Sequence, residues 1–115
     1  MLKKANRFHG RGSLSHVYKK GKTVRGGDIA LRFVPNYKHG SFRCAVVVAK
    51  KIEKSAVKRN KIRRRISAVI RENAGLINGP YDIVITVYNG SVAKLPGNEL
   101  KKDILVLLGR AGLAK

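Results

Sequence analysis

The densest concentration of chemically capable side chains lies between Lys50 and Arg71. There Lys50, Lys51, Lys54, Lys58, Arg59, Lys61, Arg63, Arg64, Arg65 and Arg71 place ten cations in 22 residues, opposed by one acid, Glu53. A guanidinium is planar and permanently charged, so it can grip a phosphate through two N–H groups at once, whereas a lysine ammonium acts as a point charge. Asn60, among them, adds a donor and an acceptor. Like charges at i, i+4 destabilise an isolated helix, and no nearby acids offset them. Solvated helix faces normally mix signs; this one does not, and an external phosphate backbone is the economical explanation.

The remaining side chains do not suggest bond-breaking chemistry. Asp28, Glu53, Glu72, Asp82, Glu99 and Asp103 are dispersed and form no dyad by spacing, while a protein nuclease needs acids gathered around metal ions or an acid/base pair. His9, His16, His39 and Cys44 include no pair with zinc-site spacing, so no metal site on the protein is expected. Gly26-Gly27 belongs to no phosphate-cradling motif and reads as turn chemistry. Tyr37, Tyr81 and Tyr88 have rings that could stack on bases, but tyrosines at strand ends more often serve the structure.

The cationic cluster needs a helix to present it. Ser55 is an N-cap candidate, and Ile62, Ile66, Val69 and Ile70 recur at spacings of three and four, which predicts a helix over 55–74 with Gly75 as C-cap. At 100° per residue those four form one apolar seam; Asn60, Arg64, Ser67 and Arg71 lie opposite, and Arg63 and Arg65 flank the seam. The stripe is too short for a coiled coil, and flanking strands claim it for a core. Around it, Leu14, Val17 and Tyr18 predict a first helix from Ser13 to Gly21. Ile29–Val34 and Phe42–Ala49 predict two strands, read as antiparallel partners, the second in a central position with both faces covered. Tyr81–Tyr88 predicts a third strand, and Leu100, Ile104, Leu107, Leu108 and Ala111 a final helix from Asn98 to about Gly112. The expected fold is α+β: a single-domain sandwich over 1–115 with helices on a small mixed sheet, in the order αβββαβα, one strand more than patterning locates. Residues 1–12 read as a basic arm.

Composition sets the same direction. The 115 residues carry 26 Lys and Arg against 6 Asp and Glu, a net charge of +20; solubility alone requires far less. Self-repulsion of this size works against a compact state and points to a polyanionic partner, nucleic acid. At 43% apolar residues, one core can form without disulfides. The lone Cys44 fits a reducing compartment, MLKKANRFHGRG lacks the apolar region of a secretory signal, and no run approaches the ~20 apolar residues of a membrane span. A cytoplasmic protein with neither membrane contact nor small-molecule substrate is expected.

At the basic helix the chain resembles the bacterial ribonuclease P protein family. The resemblance is carried by Val46-Val47-Val48-Ala49-Lys50-Lys51-Ile52 followed by Ala56-Val57-Lys58-Arg59-Asn60-Lys61-Ile62-Arg63-Arg64, a strand and two lysines before an Arg-Asn-Arg-type helix. His16–Lys22 is similar to the family's first helix and Asp82–Ile85 to its last strand, so the likeness spans about residues 7–110. It implies a protein subunit that assists a catalytic RNA in endonucleolytic removal of the 5′ leader from precursor tRNA. It also implies magnesium required by the holoenzyme with hydrolysis assigned to the RNA, and a rare left-handed crossover between parallel strands, against the usual handedness. By the same resemblance Lys50, Lys51, Lys58, Arg59, Asn60, Lys61, Arg63, Arg64, Arg65 and Arg71 face the catalytic RNA, and Phe8, Leu14, Tyr18 and Arg32 line a cleft for the single-stranded leader.

The chain departs from the family pattern in places. Lys61 stands where a second arginine is usual, which keeps the charge and loses the fork. Ser67 replaces a usually basic residue, Leu14 and Arg32 stand where many members carry aromatics, and Glu53-Lys54-Ser55 lengthens the loop by one. Leader binding is accordingly expected to lean on charge more than stacking. Two rivals are a ribosomal protein, which would leave precursor tRNA processing unchanged, and a metal-dependent nuclease, which would cleave RNA unaided.

Overall fold

The computed structural model describes residues 11–36, 42–77 and 79–113, with side chains from residue 16 onward. Expectations for Phe8, the side chain of Leu14, residues 1–10 of the arm expected over 1–12, and Tyr37, His9 and His39 lie outside the described residues, while residues 11–12 of that arm are helical. The elements are α1 (Arg11–Lys20), β1 (Lys22–Gly26), β2 (Ile29–Pro35), β3 (Arg43–Val48), α2 (Ala56–Glu72), β4 (Tyr81–Val87) and α3 (Gly97–Arg110), with short 3-10 segments at Ala74–Leu76 and Gly90–Lys94. This is the expected order αβββαβα, and β1 is the strand that patterning did not locate.

One sheet runs in the order β1-β2-β4-β3. The first two strands form a hairpin in which Gly26 opposes Ile29, and Gly27 turns the corner at φ 61°, a region open to glycine without a Cβ penalty. The chain reverses into β1 at Gly21, whose N–H donates to Val17 O at 2.7 Å. A Cβ there would stand 2.4 Å from that same oxygen, so the close approach of helix and strand requires glycine.

Two expectations about the sheet are corrected. β3 does not pair with β2, because β4 lies between them, antiparallel to β2 and parallel to β3. Nor is β3 central: it is an edge strand, and the strand with nearly every residue buried is β4. An unbroken apolar run shows that a strand is covered without saying which neighbours it has. Arg43 and Asp82 fix the parallel register, standing opposite each other. Nε and Nη2 of Arg43 donate to the two carboxylate oxygens at 2.8 Å each, and Asn36 Nδ2 adds a 2.9 Å bond to Oδ1. Asp82 is 3% exposed, and this bidentate partner satisfies a charge that burial would otherwise penalise heavily. The connection from β3 to the parallel β4 runs through α2.

The strands' period-2 alternation divides the core in two. Ile29, Leu31, Cys44, Val48, Ile83, Ile85 and Val87 face α2 and α3, which contribute Ile62, Ile66, Val69 and Ile70, and Leu100, Ile104, Leu107 and Leu108. Full burial contributes about 1.5–3 kcal/mol for a side chain of this size. On the other face Val34 and Val84 pack beneath Val17 of α1, with Ala45 and Val47 beside them. α2 starts where expected, with Ser55 Oγ accepting from Lys58 N–H at 3.3 Å. It ends earlier: Asn73 is the C-cap, its side-chain amide donating to Val69 O, and Gly75 falls inside the 3-10 segment that follows. α1 begins at Arg11, two residues before the expected start. Among the described residues no helix is long and apolar enough to cross a membrane.

Cys44 lies in this core, and desolvation by burial pushes its thiol up to about 12. Because the thiolate is the reactive form, an aromatic disulfide reagent near neutral pH should leave the native protein unlabelled and modify one thiol per chain in denaturant. Rapid labelling of the native chain would contradict this packing.

Candidate nucleic-acid interface

The seam of α2 holds the helix against the sheet, so its opposite side must face outward. Lys58, Asn60, Lys61, Arg64 and Arg71 are exposed there, Arg63 and Ser67 are half-buried, and Lys50, Lys51 and Lys54 continue the exposed basic surface through the preceding turn. Asn60 Oδ1 accepts from Arg63 Nη1 at 2.8 Å, which holds that guanidinium beside Arg64. Together with Val57, 75% exposed, these three residues line a shallow depression of about 480 Å³.

Two arginines of the predicted set behave differently. Arg65 turns inward: Nη1 donates to Val92 O at 2.7 Å and Ala93 O at 2.8 Å, and Nη2 donates to Leu95 O. One guanidinium thus satisfies three carbonyls of the Gly90–Lys94 segment and its end, tying that segment to α2. Arg59 folds back on the loop before the helix, its Nη1 donating to Glu53 O at 2.9 Å and Lys54 O at 3.0 Å. Their side chains are half-buried, and the exposed charge comes from their neighbours.

Glu53 does not neutralise the ridge. Its carboxylate accepts from the Ser55 N–H at 3.2 Å. Among the described residues the salt bridge formed is Arg43–Asp82, and no cation of α2 is paired with an acid among them. Nor do three His, Cys, Asp or Glu side chains gather anywhere among those residues in a group that could hold a metal ion.

On the sheet face under α1 the structure brings two predicted residues together. Tyr18, 40% exposed, lies with its ring centroid 5.5 Å from Arg32 Cζ, within cation–π range. Arg32 Nε is buried with no hydrogen-bond partner among the described residues. Arg25 and Tyr88 form a second such pair, with Cζ 4.4 Å from the ring centroid. Sequence reasoning treated Tyr88 as a strand-end residue and did not consider Arg25; their meeting depends on β1, whose single valine gives no alternation to read.

The class these features define is a small, strongly basic α+β protein with an exposed cationic helix and arginine–tyrosine pairs on its sheet face, the character of a nucleic-acid-binding protein. A sequence model of the family described as "Ribonuclease P" matches residues 2–112, and the chain belongs to the ribonuclease P protein family. It is 33% identical to the ribonuclease P protein component of a Pseudanabaena species, covering 96% of this chain and 95% of that one. With the corresponding component of Syntrophomonas wolfei it shares 31%, covering 98% and 92%. The fold matches the Staphylococcus aureus RNase P protein with a TM-score of 0.85 at 24% identity, over 97% of this chain and 100% of that one. The Thermotoga maritima RNase P protein gives 0.81 at 25% identity, over 90% and 96%. As a member of this family the chain assists the RNA subunit of an endonuclease in tRNA 5′ processing.

Proposed function

We propose that the outer side of α2 docks on the ribonuclease P RNA and that the sheet face at Tyr18 and Arg32 holds the single-stranded leader of precursor tRNA, in the cytoplasm. The observation that carries this reading is the lack of any internal acid against the α2 cations among the described residues: their mutual repulsion is relieved only by an outside polyanion. Lys50, Lys51, Lys58, Lys61, Arg64 and Arg71 supply exposed charge, and Asn60 with Arg63 supplies an oriented fork. Arg59 and Arg65 act mainly by holding the loop and the 3-10 segment that flank this surface. Tyr18 offers a ring and Arg32 a guanidinium to one nucleotide, one by stacking and the other by charge.

The magnesium that such a holoenzyme requires supplies Lewis-acid chemistry with the RNA. Among the described residues no three His, Cys, Asp or Glu side chains gather in a group that could hold a metal ion, and the role proposed for the protein's own side chains is electrostatic. What the protein does is neutralise phosphates where leader and catalytic RNA converge, which lowers the magnesium needed for both to approach.

Reconstitution tests this. Mixing the purified protein with a bacterial ribonuclease P RNA at low magnesium should release the 5′ leader, while the protein alone releases none. Arg64→Ala should shift the RNA titration and Tyr18→Ala should reduce the preference for leader-bearing substrate. Cleavage by the pure polypeptide, or RNA cleavage unchanged by adding it, would overturn the proposal.

A further inference from the structure

Arg25 and Tyr88 lie on the same sheet face as Tyr18 and Arg32. Arg25 opposes Ala30, and Ala30 opposes Thr86, while Arg32 stands one rung along, between Thr23 and Val84. Successive rungs on one face are about 7 Å apart. Ala30 presents only a methyl group, so the Arg25 side chain can cross β2 toward Tyr88, which is fixed beyond the end of β4 by its N–H bond to Asp28 O at 2.8 Å. Both partners are exposed, Tyr88 at 43%. Among the described residues the Arg25 guanidinium has neither a carboxylate nor a hydrogen-bond acceptor: the bond recorded at this residue is to its backbone oxygen, from Arg110. A cation resting on an aromatic ring with its N–H groups free can take a base on its plane and a phosphate on its edge.

We propose that Arg25 and Tyr88 form a second nucleotide-binding platform for single-stranded RNA, reached only by a leader that extends past Tyr18 and Arg32. The assignment rests on the leader-binding reading above and adds a determinant of leader length to it. Its consequence is a second step in affinity as the leader grows, separate from the step made at the first pair.

The test uses the reconstituted holoenzyme and precursor tRNAs whose leaders lengthen by one nucleotide at a time, with Kd measured for each. The wild-type protein should show a late gain, of roughly 5- to 150-fold, the size expected for one stacked base. Tyr88→Ala should remove that late gain and Tyr88→Phe, which keeps the ring, should retain it. Arg25→Ala should also remove it, and it keeps the test decisive should Tyr88→Ala fold poorly. If Tyr88→Ala and Arg25→Ala both track the wild type at every length, the second platform does not exist. A wild-type protein indifferent to leader length altogether would instead overturn the leader-binding reading.

Discussion

Raising monovalent salt from about 50 to about 200 mM should weaken binding of this protein to ribonuclease P RNA by about 10³- to 10⁴-fold, with log K falling against log salt at a slope of about −5 to −6. The expectation follows from which cations are exposed. Lys50, Lys51, Lys54, Lys58, Lys61, Arg64 and Arg71 face solvent, and each phosphate they neutralise releases about 0.7 to 0.9 of a counterion depending on strandedness. Arg59 and Arg65 are left out of the count because backbone carbonyls already hold them. Fluorescence anisotropy of labelled RNA across a salt series measures the slope, and Arg64→Ala should make it shallower by about one unit. A wild-type slope shallower than about −2 would remove the ridge from the interface.

The local parts of this fold were legible because local periodicity encodes them. Ile62, Ile66, Val69 and Ile70 recur with the helical period and are all buried; Ser55 caps as its side chain predicts. β1 was not legible because Lys22-Thr23-Val24-Arg25-Gly26 has one apolar side chain with no partner to alternate with. It becomes a strand through the Gly27 hairpin, paired with β2 and packed against α3. Strand order was illegible for a different reason. That β4 inserts between β2 and β3 depends on contacts between residues far apart in the chain, such as Asn36 and Arg43 converging on Asp82 from 46 and 39 positions away, and alternation within one segment carries no trace of them.

The site was legible as a charged surface and only partly as individual side chains. A helical wheel separates Arg64, opposite the seam, from Arg65, beside it, yet a count of cations treats them alike. Position decides the difference: a long side chain flanking the buried seam can reach the neighbouring element, and Arg65 finds three carbonyls there. The tyrosines show the same limit. Tyr18 and Tyr88 acquire meaning from the arginines placed over them, and those arginines are supplied by different strands.

Arg65→Ala should therefore unfold more easily while Arg64→Ala should not. Removing Arg65 takes this donor from the carbonyls of Ala93 and Leu95 and leaves Val92 O only the 3.4 Å bond from the Leu95 N–H, and Val92 and Ala93 are buried residues. Hydrogen bonds to a charged group contribute about 1.5–3 kcal/mol each, but three that share one guanidinium are not additive and water can replace some, so a loss of about 2–4 kcal/mol is expected. It would appear as a lower urea midpoint with an unchanged m-value. Arg64, exposed and without a partner among the described residues, should change stability by no more than about 0.5 kcal/mol when truncated, and its loss should be read in RNA affinity. Arg65→Lys should not rescue the midpoint, because an ammonium lacks the planar fork that spans three acceptors. A truncation at 65 that leaves the midpoint unmoved, yet weakens RNA binding as much as the one at 64, would return Arg65 to the outer ridge and leave the 3-10 segment held by packing alone.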